Sequence, residues 1–177
     1  VSGLPDVRSH RAKSIALGPG GSLFVNVGSP SNACQTRDRQ PGAPGMDPCP
    51  ELATRAGIWR FPAGATGLSQ ADGERWASGL RNVVALTVHP RDGLPWGVVH
   101  GRDQLHANWP DLYDERASAE KPSEELVRIE RGARHSWPYC FHDPELGRLV
   151  LAPEYGGDGR TAGRCADLAE PLAAYPA

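Results

Sequence analysis

Ser14-Ile15-Ala16-Leu17-Gly18-Pro19-Gly20-Gly21-Ser22-Leu23-Phe24-Val25-Asn26-Val27-Gly28 reads as strand, turn and returning strand. Residues 12–17 are β-prone, Gly18-Pro19-Gly20-Gly21 is a turn, and residues 22–27 run back. Alternation puts Leu23, Val25 and Val27 on one face of the returning strand and Phe24 on the other. The same order recurs downstream. Leu80-Arg81-Asn82, Ala85-Leu86-Thr87-Val88-His89-Pro90 and Leu94-Pro95-Trp96-Gly97-Val98-Val99-His100-Gly101 echo Ser9-His10-Arg11, residues 14–19 and residues 22–28. Pro19 falls opposite Pro90, and His10 opposite Arg81, both at an offset of 71 residues. A repeated unit of this kind implies radial or linear repetition, in which equivalent positions converge on one surface. A base-capable imidazole and an anion-capable guanidinium at equivalent positions therefore point to one shared site.

The units fill out with further short strands. In the first, a long Ser-, Pro-, Asp- and Arg-rich loop over 29–55 precedes strands at 56–61 and 74–77. A loop of that length inside a compact domain is uncommon and often functional. In the second, strands at 83–88 and 95–99 precede a loop through Trp109-Pro110-Asp111-Leu112-Tyr113 and a strand over 125–130. A short helix within 115–126 is limited by Pro122, and Ser136-Trp137-Pro138-Tyr139-Cys140-Phe141 is expected to close the unit. Four short strands per unit, with an insertion between the second and third, is the pattern of a β-propeller blade. The expected all-β domain covers 1–177, with units at about 8–80 and 81–148 and an approach to a third over 149–177. Two blades do not close a ring, so a longer parent protein is expected.

Composition narrows the partners. A net charge of −2 gives no basic field for nucleic acid. No apolar run approaches the roughly 20 residues of a membrane-spanning helix. Five Trp argue for a packed fold, while 21 Gly and 17 Pro favour short strands and frequent turns over long helices. Cys34 and Cys49 flank a polar, Pro-rich loop, and Cys140 and Cys165 a Gly-rich one. An even count in loops predicts two disulfides and an oxidising compartment, periplasmic or extracellular. Free buried thiols are the plain alternative, and the close CxxC-like spacing of a zinc site is absent.

Five segments in fixed order carry a resemblance. They are Ser9-His10 before a strand and Gly-Pro turn, Gly79-Leu80-Arg81-Asn82, His100-Gly101-Arg102-Asp103-Gln104-Leu105, Glu124-Glu125-Leu126 and Trp137-Pro138-Tyr139. Together they resemble the PQQ-dependent sugar dehydrogenases of the soluble glucose dehydrogenase and sorbosone dehydrogenase group. Pro30-Ser31-Asn32-Ala33-Cys34 and Ala152-Pro153-Glu154-Tyr155-Gly156-Gly157-Asp158-Gly159 are most similar to the sorbosone branch. The resemblance implies a six-bladed propeller, of which this chain covers about two blades and the start of a third. It implies pyrroloquinoline quinone and calcium as cofactors, an aldose or sorbosone-type sugar as substrate, and an external electron acceptor.

Each site residue has a chemical reason. His10 matches the family's general base, and imidazole titrates close to operating pH. Arg81 and Asn82 match a pair at the cofactor and reacting centre, where a guanidinium offers a rigid donor fork and permanent charge. His100 is placed beside the cofactor. The resemblance makes the carbonyls of Gly101 and Arg102 calcium ligands, although the family commonly has Pro where Arg102 stands; Asp103 or Glu124 would add a carboxylate. His89, His106, His135 and His142 are expected at the surface or in turns, and Trp59, Trp96 and Trp137 in blade packing. Other cofactor-binding residues of the family lie in later blades, so this chain alone is expected to bind the quinone poorly. The competing reading is a calcium-dependent lactonase-type propeller, which needs several carboxylates around one metal. A non-catalytic binding propeller is the third.

Overall fold

The computed structural model describes residues 1–6 and 9–176. β1 (Ile15–Gly18), β2 (Ser22–Val27), β3 (Gly57–Pro62) and β4 (Glu74–Ser78) form one antiparallel meander in sequence order. The first turn is tight because Gly20 and Gly21 take φ of 65° and 67°, a region open to glycine at little cost. It sets Gly18 opposite Ser22 and Ile15 opposite Val25. The period-two reading of β2 holds: Val25 and Val27 pack with Trp59 and Phe61, and Phe24 enters the other core.

β5 (Val83–Val88), β6 (Pro95–Val99) and β7 (Glu124–Arg128) start a second meander. Two short helices, α1 (Leu105–Asn108) and α2 (Glu115–Glu120), lie between β6 and β7. The side chain of Asp114 caps α2 by accepting from the Ala117 N–H, and the helix stops at Glu120, before Pro122. β8 (Cys140–Asp143) and β9 (Arg148–Leu151) form a separate hairpin. The chain then returns, and β10 (Ala173–Tyr175) pairs with β7 as the outer strand of the second sheet.

That last pairing changes two expectations. Ser136–Phe141 does not close the second unit: its end belongs to the β8–β9 hairpin, fixed by the Cys140–Cys165 disulfide. The fourth strand comes instead from the tail, which was expected to lead into a further blade; the second unit therefore runs on past residue 148 to Tyr175. A three-residue strand of Ala and Tyr carries too little periodicity to be read from sequence.

The two sheets pack face to face, with β1 and β5 side by side as their innermost strands. Phe24, Ile58, Ala77 and Leu80 meet Val83, Val99, Val127 and Ile129 in one core. This is the arrangement of two successive propeller blades. Both segments that precede the inner strands, residues 9–14 and 79–82, therefore end at the same rim. The insertion over 29–55 is closed by the Cys34–Cys49 disulfide.

Candidate active site at the shared rim

His10 and Arg81 meet, as the repeat predicts. Gly28, just after β2, lies between them: a Cβ there would stand 2.6 Å from the Cβ of His10, 2.9 Å from Asn82 Oδ1 and 3.4 Å from the Arg81 carbonyl. Only a hydrogen side chain permits that approach. The Ser29 N–H donates to the Arg81 carbonyl, tying the two units together (2.8 Å).

The protonation of His10 follows from its partner. Nδ1 lies 2.8 Å from the Ser29 carbonyl, which only accepts, so Nδ1 carries the proton and Nε2 holds the lone pair. Burial, and then the charge of Arg81, push the imidazole down to about 4, against the opposing pull of the Ser29 carbonyl. At neutral pH it is an uncharged base, at some cost in base strength. His10 also has φ of 53°. Among the described residues, Cys34, Arg39, Ala56 and Gln104 share that left-handed conformation (φ 52°, 58°, 54° and 63°). Such strain persists where surrounding contacts over-determine it, commonly at functional sites.

Arg81 is 3% exposed and heavily engaged. Nε donates to the Asn32 carbonyl (3.2 Å) and Nη1 to the Gly101 carbonyl (2.6 Å). Nη2 donates to Asn32 Oδ1 (3.0 Å) and Asp103 Oδ2 (3.1 Å). Of five N–H donors, these bonds leave one on Nη1. Burial opposes ionisation of Asp103, but Arg81 and Arg39 outweigh it and hold its carboxyl below the usual range. Arg39 donates to the same Asp103 oxygen at 2.8 Å and to Gln104 Oε1 at 3.0 Å. Asn82 is buried, and its Oδ1 accepts from Asn26 Nδ2 at 3.2 Å.

Two of the oxygen groups proposed for calcium, the Gly101 carbonyl and the Glu124 carboxylate, already have partners. The Gly101 carbonyl accepts from Arg81 Nη1, and a second cation at that oxygen faces the repulsion of the guanidinium. The Glu124 carboxylate holds His100 Nδ1 at 2.7 and 2.8 Å. The Arg102 side chain turns away to pair with buried Glu154, whose other oxygen accepts from Trp109 Nε1 (2.9 Å). As they stand, the Gly101 carbonyl and the Glu124 carboxylate do not fit calcium. The cation at the centre of the set is the buried Arg81 guanidinium, while Arg39 is shared between Asp103 and Asp38.

Other expectations need correcting. Glu125, which received no role, is buried beside a small cavity also lined by Arg81, His100 and Trp137, and burial pushes its carboxyl up to about 7. His135 and His142 are buried rather than superficial. Neither ring nitrogen of His135 has a partner among the described residues, and burial pushes it down to about 4. Sequence reasoning missed Ser29 and gave Asn32 no role at the site. Nothing but the length of the insertion signalled that it reaches Arg81.

No family model and no curated protein matches the chain. Solved structures do. A Trichoderma reesei enzyme of Carbohydrate-Active Enzymes Family AA12, in a calcium structure, aligns with a TM-score of 0.65 at 19% identity, over 97% of this chain and 44% of its own. A glucose dehydrogenase aligns with a TM-score of 0.53 at 18% identity, over 95% of this chain and 40% of its own. The soluble aldose sugar dehydrogenase of Escherichia coli, in its apo form, aligns with 0.52 at 14% identity, over 92% and 39%. The chain thus spans less than half the length of the structures it resembles. What it shares with these structures is their fold.

Proposed function

We propose that this chain supplies the catalytic base and the anion-facing guanidinium of a sugar dehydrogenase that oxidises an aldose or sorbosone-type sugar with pyrroloquinoline quinone. The observation that carries the reading is the His10–Ser29 bond beside Arg81. The bond fixes one tautomer and leaves Nε2 as the basic atom, while burial and the charge of Arg81 keep the ring neutral at pH 7. Nε2 takes the proton of the sugar hydroxyl that becomes the carbonyl. The quinone, when bound, supplies a hydride acceptor. Arg81 presents a fixed charge to the acceptor through its remaining Nη1 hydrogen, and Asn82 adds an amide at the same rim. An external electron acceptor completes turnover, and the two disulfides support a periplasmic or secreted setting. No step is assigned to calcium. A lactonase-type hydrolase is less well supported, because the carboxylate at the centre, Asp103, is held by two guanidiniums.

The test is dye-linked oxidation of glucose and other aldoses by the full-length parent protein that contains this chain, with and without added quinone. Quinone-dependent dye reduction, lost in His10→Gln with quinone binding retained, is the expected result. Sugar oxidation unaffected by His10→Gln, or lactone hydrolysis with no dye reduction, overturns the reading.

A further inference from the structure

The insertion over 29–55 is the least regular part of the first unit, yet it accepts two of the hydrogen bonds that the Arg81 side chain donates. Asn32 is 0% exposed, and six polar contacts converge on it, one of them its own N–H donating to Asp38 Oδ1 (2.9 Å). Its carbonyl accepts from Arg81 Nε (3.2 Å) and Trp137 Nε1 (2.8 Å). Its Oδ1 accepts from Arg81 Nη2 (3.0 Å) and the Asp103 N–H (2.9 Å), and its Nδ2 donates to the Asp103 carbonyl (2.8 Å). Asn32 and Asp103 lie 71 residues apart, the offset that also relates His10 to Arg81. The repeat therefore brings two equivalent positions together around one guanidinium.

The geometry points to Asn32 as a positioning residue, which fixes the plane and depth of the Arg81 guanidinium for the anionic group that Arg81 faces. This rests on the role proposed for Arg81 above. A guanidinium swings freely about its long stem unless several donors are held at once. Here two edges are held by a single residue: Nε by the main chain of Asn32 and Nη2 by its side chain. Asp103 is itself oriented by Asn32 and by Arg39, another insertion residue, and receives the other Nη2 hydrogen. The insertion is anchored close by. Ser31 Oγ accepts from the Cys34 N–H (3.0 Å), and Cys34 is cross-linked to Cys49. Without the Asn32 side chain, Arg81 keeps the Gly101 and Asp103 contacts but loses the bond that sets its orientation.

A double-mutant cycle between Asn32→Ala and Arg81→Met tests this, read in two ways. In quinone-dependent sugar oxidation by the full-length parent protein, Arg81→Met is expected to lose about 100-fold in kcat. Asn32→Ala is expected to lose about 10-fold, as misplacement of a held group does. The double variant is expected to match Arg81→Met within about twofold, because Asn32 acts through Arg81. In the second reading, the His10 titration is followed by NMR. It moves up in Asn32→Ala and in Arg81→Met, and no further in the double variant. A general loss of packing lowers the melting temperature without this pattern. If Asn32→Ala does not fold, Asn32→Ser, too short to reach Nη2, replaces it. Full additivity in either reading overturns the role of Asn32 while leaving the proposed reaction standing. Absence of sugar oxidation removes the proposed reaction, and the His10 titration still decides whether Asn32 holds Arg81.

Discussion

At the residue scale, folding keeps two histidines neutral. His10 and His135 both stand at about 4 in the folded chain, below the ordinary histidine value of 6.5. A lowered folded-state value means that the unfolded chain binds more protons between about 4 and 6.5, so stability rises with pH across that window and falls as the solution is acidified through it. His135 is the cleaner probe, because it is buried and both ring nitrogens lack partners among the described residues. His135→Phe is expected to remove part of the loss between pH 6.5 and pH 4, on the order of 2 kcal/mol, as read by urea unfolding at both pH values. An unchanged pH slope shows that His135 takes up its proton without unfolding. Activity follows the same sign at His10: kcat/KM holds as pH falls toward about 4 and drops when the ring protonates. Gly28 belongs to this scale too. In Gly28→Ala the new Cβ meets His10 at 2.6 Å and Asn82 at 2.9 Å. The expected outcome is a fall in kcat of about 100-fold, larger than the accompanying change in melting temperature explains.

At the scale of elements, the insertion is held by a cross-link. Replacing Cys34 and Cys49 together with Ala opens a loop with a sequence separation of 15, and a loss of about 3 kcal/mol is expected by chemical denaturation. The pair is buried against Ala56 and Trp137, so the loss includes packing as well as chain entropy. A double variant with wild-type stability shows that the hydrogen bonds around Asn32 suffice to hold the insertion. The strands were legible because period-two patterning and Gly-Pro turns are local: β2, β5 and β6 lie where the sequence puts them. α1 was not legible, because four residues show no helical period. β10 was not, because its partner lies some fifty residues upstream and nothing nearby marks the pairing. The meeting of His10 and Arg81 was legible from the repeat alone. The cation already seated on the Gly101 carbonyl was not, since side-chain direction is set by tertiary contacts from the insertion.

At the scale of the whole molecule, the two sheets differ in what covers them. The outer face of the first sheet is sheltered: Leu4, Leu23 and Leu68 pack on Val25, Val27, Trp59 and Phe61. The second sheet carries an open apolar groove lined by Ala85, Leu86, Trp96, Val98 and Leu126. The inner strands add Ile15 at 62%, Leu17 at 71% and Val84 at 49% exposure. Contiguous apolar surface of this kind associates in water. Studied as these 177 residues, the chain is expected to bind an apolar fluorescent dye and to sediment as concentration-dependent oligomers. Leu17→Lys combined with Val98→Lys places a charge on each exposed surface, and both signals are expected to fall by about half or more. Neither position contributes to the buried core between the sheets, so the melting temperature is expected to hold. A monodisperse monomer without dye binding overturns the expectation, because it requires the groove and inner strands to be covered from within the chain. Persistent oligomers in the Lys variant place the contact on another surface, and the exposed Leu172 and Tyr175 at the β10 edge are then the next positions to charge.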